Sequence, residues 1–152
     1  NIFLVDSNDP ISTYSILNHC NAILVYGTKL GIEFAARGVP VIVAGEAVIR
    51  NKGFSIEPKT EKEYFQLLKS LPFHNKMSDD NINDAKKFAY HYYFKRMLAL
   101  NSLEDIPYNF PPFKIKNNFL NILSNNSDKN LDLICDSILN GTDFYFKDNN
   151  KE

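Results

Sequence analysis

The sequence predicts an α/β fold: a parallel sheet with helical crossovers, followed by an α-helical carboxy-terminal extension. Three observations predict it. Short apolar runs at residues 2–5, 22–26 and 39–43 are each bounded by turn residues, the pattern of strands covered on both faces. The segments between them carry apolar residues at helical spacing, and strand–helix–strand alternation implies parallel pairing. Beyond residue 72 the recurring signal is helical, with aromatic and proline-rich connectors. The boundaries drawn from this are 1–72 for a Rossmann-like region and 73–152 for the helical extension.

Taken in order, Ile2, Phe3, Leu4 and Val5 form the first expected strand, ending at Asp6. A turn cluster follows, in which Asp9 caps a helix beginning at Pro10, or Ser12 caps it two residues later. That helix runs to about His19. The second strand covers 22–26, the next helix 29–37, and Gly38 ends it as a left-handed stop. The third strand covers 39–43, with Pro40 at its start. A loop over 46–58 leads to Thr60, which with Glu63 forms a capping box. The helix 61–71 buries Tyr64, Leu67, Leu68 and Leu71, and Pro72 stops it. The longest helical pattern covers 79–100, with Ile82, Ala85, Phe88, Ala89, Tyr92, Tyr93, Met97 and Leu100 on one face. Residues 101–118 read as a connector without regular structure. Helices near 118–123 and 130–139 follow, Gly141 stops the second, and 147–152 are expected to fray.

Composition bounds the function. Charged residues make up 23% of the 152 and the formal net charge is −1, so no broad field exists to hold nucleic acid. Cys20 and Cys135 are the only cysteines. With no secretory leader in view they suggest free thiols in a reducing, cytoplasmic setting. Neither has a partner at ligand spacing, and only three histidines occur, so no metal site is expected. No apolar run approaches the roughly 20 residues of a membrane span. The chain opens on an apolar stretch at Asn1 without Met, which reads as a piece of a longer protein. Dinucleotide, P-loop and nucleophile-elbow motifs are lacking.

The informative segment runs from Tyr26 to Gly45. It places Gly27 and Thr28 at the junction of a strand and a helix, where helix N–H groups suit a phosphate. Gly27 either lets backbone approach a ligand or only makes the turn. Thr28 either donates a hydroxyl or only caps the helix. Glu33, about one turn in, either accepts hydroxyls of a nucleotide's pentose or only complements the helix dipole. Ser12 and Thr13 are ligand contacts or caps. Arg50 and Lys52 meet a phosphate or form a solvated loop. The aromatics of 88–94 are core packing or a base-stacking platform.

The pattern G-T-x-x-G-x-E-x-A-x-x-G-x-P-V-x-V-x-G resembles the donor-site segment of GT-B glycosyltransferases, especially bacterial capsule polysaccharide biosynthesis proteins. Ser12-Thr13-Tyr14 resembles the S-T-Y of such members, and Arg50-Asn51-Lys52-Gly53-Phe54 their basic, glycine-bearing loop. The resemblance covers about residues 1–100 and implies half of a GT-B fold. It implies that Gly27 and Thr28 hold donor phosphates and Glu33 the ribose. The full set of candidate substrate-binding residues is Ser12, Thr13, Tyr26, Gly27, Thr28, Gly31, Glu33, Gly45, Arg50 and Lys52. A nucleotide-sugar is then the substrate, with no cofactor. The partners are an amino-terminal acceptor domain of the parent chain and, through that parent, the membrane or polysaccharide machinery. No catalytic residue is assigned. The rival readings are a sugar-nucleotide epimerase or polyol-phosphate transferase of the same fold, and a non-catalytic interaction module.

Overall fold

The computed structural model of the protein describes residues 2–6, 8–117, 119–124 and 127–146. The fold is mixed α/β, with one small parallel sheet and several helices. The chain forms two compact units, Asn1–Ala89 and Tyr90–Glu152. The expected fraying of 147–152 lies outside the described residues. Among those described, no helix is long and apolar enough to cross a membrane.

In the first unit, β1 (Ile23–Val25) pairs in parallel with β2 (Val41–Val43), in the register Ile23↔Val41, Leu24↔Ile42, Val25↔Val43. On the other side of β2, Ile56 adds one parallel bridge: Val43 N–H donates to the Ile56 carbonyl and Ile56 N–H to that of Val41. α2 (Leu30–Ala36) connects the strands and packs on both. Ile32, Phe34 and Ala35 of α2, Ile23 and Val25 of β1 and all of β2 are buried, as are Ile49 and Phe54. That set, with Ala85, is the core. It forms because the apolar positions of α2 fall on one stripe and those of the strands reach it from below. β1 departs from the expected two-sided burial: Leu24 is 45% exposed while Ile42, its neighbour, is fully buried.

Gly38 stops α2 as expected. Its φ is +84°, its N–H donates to the Ala35 carbonyl and that of Val39 to Phe34. This is a Schellman closure, which needs the left-handed conformation that glycine adopts without strain. Thr60 caps α3 (Glu61–Lys69), its hydroxyl accepting from Glu63 N–H at 3.2 Å. The return bond from the Glu63 carboxylate reaches Lys59 N–H rather than that of Thr60. Tyr64, Leu67 and Leu68 are half-buried, while Leu71 is exposed, against expectation.

Three further expectations fail in this unit. Residues 2–5 form no strand, and Ile2, Phe3 and Leu4 are almost wholly exposed. An apolar run becomes a strand only when a neighbouring strand takes its backbone bonds, and among the described residues none pairs with it. The first helix is only α1 (Thr13–Leu17). Asp9 closes a local turn onto Ile11 N–H instead of capping a helix. The pattern over 79–100 ends early, as α4 (Asp79–Tyr90).

In the second unit, His91–Lys95 form a π-helical turn, with Arg96 N–H donating to the His91 carbonyl. Tyr90 and Phe94 are 51% and 70% exposed, so the aromatic stripe is not uniformly core. The connector at 101–118 is not irregular. It holds an antiparallel hairpin, β3 (Leu103–Asp105) with β4 (Phe113–Ile115), in which Glu104 and Lys114 face each other as an ion pair at 3.5 Å. The extension is therefore not purely helical. α5 (Phe119–Ile122) and α6 (Lys129–Asn140) complete it. Asp128 caps α6, is 2% exposed, and accepts from the N–H groups of Asn101, Asn130 and Leu131.

Candidate functional site

A cleft of about 460 Å³ opens in the first unit beyond the carboxyl ends of β1 and β2. Because Val25 and Val43 are in register, the residues that follow them leave the sheet at the same edge. Tyr26, Ala44 and Gly45 line one side of the cleft, and Lys59, Thr60 and Glu61 at the start of α3 line another. Glu46 and Arg50 come from the loop after β2, and Tyr64 from α3.

That loop has an internal structure. Arg50 N–H donates to the Ala47 carbonyl and Lys52 N–H to that of Ile49, forming a short helical turn. Ile49 anchors the turn in the core. Asn51 takes a positive φ of 59°, and the Glu57 carboxylate accepts from its N–H and from the Ser55 hydroxyl. Arg50 is thereby held with Nη1 donating to the Gly45 carbonyl at 2.7 Å, and Nε 3.8 Å from the Glu46 carboxylate. Glu46 is 90% exposed, so water screens that pair. A guanidinium carries five N–H donors in a fixed fork, so the bond to Gly45 sets its plane and leaves capacity for an anion. Gly45 has a steric reason as well: a Cβ there would meet the Tyr26 ring at 2.6 Å.

The other candidate residues divide among different roles. A Cβ on Gly27 would lie 2.9 Å from the Glu46 carbonyl, so the close approach at this turn is to the chain's own backbone. Thr28 Oγ1 accepts from Leu30 N–H at 3.3 Å, tightening the start of α2. Gly31 is buried, and a Cβ on it would meet Ile49, Val41 and Val25. Ser12 flanks α1 without a side-chain cap bond; its carbonyl accepts from Ser15 and Ile16. Thr13 is exposed. Lys52 places Nζ 5.9 Å from the Phe88 ring centroid. Of the ten candidates, Tyr26, Gly45 and Arg50 line the cleft.

Glu33 sits half-buried one turn into α2. Its Oε2 accepts from the Tyr14 hydroxyl at 2.9 Å. The Tyr14 ring stacks on Phe34, centroids 6.1 Å apart and 26° between planes, and the Arg37 guanidinium lies over both rings. The hydrogen bond to Glu33 pushes the Tyr14 phenol above its usual range; the negative charge of Glu33 and desolvation add to this, and Arg37 opposes it. Sequence reasoning did not foresee the bond between Tyr14 and Glu33. It also missed the contribution of α3, although the capping box at Thr60 placed a helix start soon after the strand ends. Among the described residues, no cluster of three or more His, Cys, Asp or Glu side chains is arranged to hold a metal ion.

Compared with family models, curated proteins and solved structures, the chain gives no match.

Proposed function

We propose that the first unit is the donor-binding part of a nucleotide-sugar-dependent glycosyltransferase of the GT-B kind, acting in bacterial surface polysaccharide synthesis. On this reading β1, α2 and β2 belong to a Rossmann-like half-fold. The parent chain supplies the acceptor domain, works in the cytoplasm, and meets the membrane or polysaccharide machinery through its other parts. The observation that carries the proposal is the position of the cleft. Open parallel sheets bind ligands beyond the carboxyl ends of their strands, and here that place holds a cleft of ligand size with a fixed arginine.

The chemistry asked of such a domain is modest. Sugar transfer leaves negative charge on the departing phosphate, and preorganised donors at that oxygen lower the barrier. Arg50 and Lys59, both at the cleft, are the cations for that task. The cleft also carries Glu46 and Glu61, so the phosphate must sit nearer the guanidinium than the two carboxylates. Tyr26 and Tyr64 offer ring faces to a base or sugar.

Titrating CMP, UDP, GDP and CDP into the protein by calorimetry tests this. Saturable binding of at least one is expected, weakened about 10-fold to 100-fold by Arg50→Ala, the range for a charge-assisted bond to phosphate. A melting curve shows whether that variant remains folded. Absence of binding to the native chain refutes the proposal.

One observation favours a second reading, in which the other unit docks a protein partner. Among the described residues, no hydrophobic side chain of the second unit is buried, while Tyr108 and Phe110 at the hairpin tip are almost fully exposed. Apolar surface of this kind marks interaction sites.

A further inference from the structure

We propose a second binding site in the first unit, at the end of the sheet opposite the cleft, for a small phosphate-bearing anion of two or more negative charges. The inference does not depend on the nucleotide reading above.

A cavity of about 270 Å³ lies at the amino ends of β1 and β2. Asn21 precedes β1 and Pro40 precedes β2, and Ile23 N–H donates to the Pro40 carbonyl at 3.0 Å. Arg37 enters from the end of α2, Asn18 from the end of α1, and His74, Asn75 and Lys76 from the segment between α3 and α4. Among the described residues no carboxylate lines this cavity. The adjoining cavity of about 380 Å³, which shares Pro40 and residues 73–76, has none either. The cleft at the other end differs, because Glu46 and Glu61 stand there beside the cations. An anion meets two opposing charges in that cleft and none here.

The donors are available. The Arg37 guanidinium lies 5.8 Å from the Tyr14 ring centroid and 5.1 Å from that of Phe34. It is restrained there without a carboxylate partner, and its five N–H groups remain donors. Among the described residues, Arg37 and Lys76 enter no salt bridge, and the side chains of Asn18, Asn21, His74 and Asn75 no hydrogen bond. Each of these amides brings an NH₂ group, and the imidazole at least one N–H. An arginine fork beside a lysine point charge suits phosphate oxygens. Two fixed positive charges call for a multiply charged anion, and the volume falls below the range of drug-sized ligands, so the anion is small. A cation at a helix end has a plainer use, to complement the last carbonyls. That account covers Arg37 incompletely, since the Phe34 and Ala35 carbonyls already accept from Val39 and Gly38 N–H. It leaves unexplained why residues 74–76 line the same cavity.

The test titrates inorganic pyrophosphate into the full chain by calorimetry at fixed ionic strength, and follows iodoacetamide alkylation of both thiols by mass spectrometry. Cys20 lines the cavity, whereas Cys135 is exposed in the other unit. Saturable binding is expected, with alkylation slowed at Cys20 and not at Cys135. Lys76→Gln and Arg37→Gln should each weaken binding about threefold to tenfold, less than a buried charge-assisted bond because water screens both side chains. Lys76 is exposed, so its variant should stay folded, which a melting curve checks. Absence of saturable binding, or binding that leaves Cys20 as reactive as before, overturns the inference. So does an affinity unmoved by Lys76→Gln. A loss in Arg50→Ala without one in Lys76→Gln would place the anion in the other cleft and overturn it as well.

Discussion

Gly31 separates packing from binding, because the resemblance places it among donor contacts while the structure places it in the core. A Cβ on Gly31 would stand 2.8 Å from Ile49 Cδ1, 3.4 Å from Val41 Cγ1 and 3.5 Å from Val25 Cγ2. These three neighbours come from the loop after β2, from β2 and from β1, and all are buried. None can swing into solvent, so an added methyl forces α2 away from the sheet or Ile49 off its rotamer. Overpacking of this kind costs about 1–3 kcal/mol. Replacing glycine near a helix start recovers less than the ~1 kcal/mol of the full propensity difference. Gly31→Ala should therefore destabilise the chain by about 1–2 kcal/mol in urea unfolding. The nearest clash is with Cδ1, which valine lacks. Ile49→Val alone should cost about 0.5–1.5 kcal/mol, and the double variant should be more stable than the sum of the two losses predicts, by about 1 kcal/mol. A neutral Gly31→Ala, or strict additivity with Ile49→Val, would refute the packing argument. Lost nucleotide affinity at unchanged stability would return Gly31 to the binding site.

Two further predictions concern single groups. Asp128→Ala leaves three backbone N–H groups without their acceptor and should cost about 2–3 kcal/mol, combining a lost cap with buried unsatisfied donors; Asp128→Asn, which keeps one carbonyl oxygen, should cost less, and amide exchange at Asn101, Asn130 and Leu131 should quicken in both. The Tyr14 phenol is held above its ordinary value near 10, so the folded state disfavours its ionisation: its contribution to stability is complete below pH 10 and is lost as pH climbs through the raised value. Ultraviolet titration of the phenolates should lose absorbance from its high-pH limb in Tyr14→Phe, and a high-pH limb unchanged in that variant would reject the assignment.

What was legible in the sequence was what local chemistry decides. Gly38 and the Thr60/Glu63 pair specify a helix stop and a helix start within a few residues, and both form. β1, α2 and β2 follow from one apolar stripe set between two apolar runs. Residues 2–5 were misread because apolar content gives a strand only with a partner beside it. The hairpin of β3 and β4 was hidden for the opposite reason. Its alternation is short, and Pro107, Pro111 and Pro112, taken as signs of irregular chain, all sit in the loop between the strands. The end of α4 was missed because the aromatics after Tyr90 keep an apolar spacing while the backbone changes to a π-helical turn. At the site, Tyr26, Gly45 and Arg50 were legible as motif positions, but their meeting depends on the strand register. The Tyr14–Glu33 bond, nineteen residues apart, has no local signal at all.

The structure assigns different work to the glycines of one motif, and this bears on how such motifs carry function. Gly38 closes a helix, Gly31 admits α2 to the sheet, Gly27 clears a carbonyl of the next loop, and Gly45 makes room for the Tyr26 ring. Each serves the placement of one strand end against another. A segment selected only for phosphate contact would need glycine where a ligand approaches. Here the close approaches are between parts of the chain, and they bring Tyr26, Gly45 and Arg50 to one edge. The pattern thus specifies the scaffold of a cleft more directly than its ligand contacts.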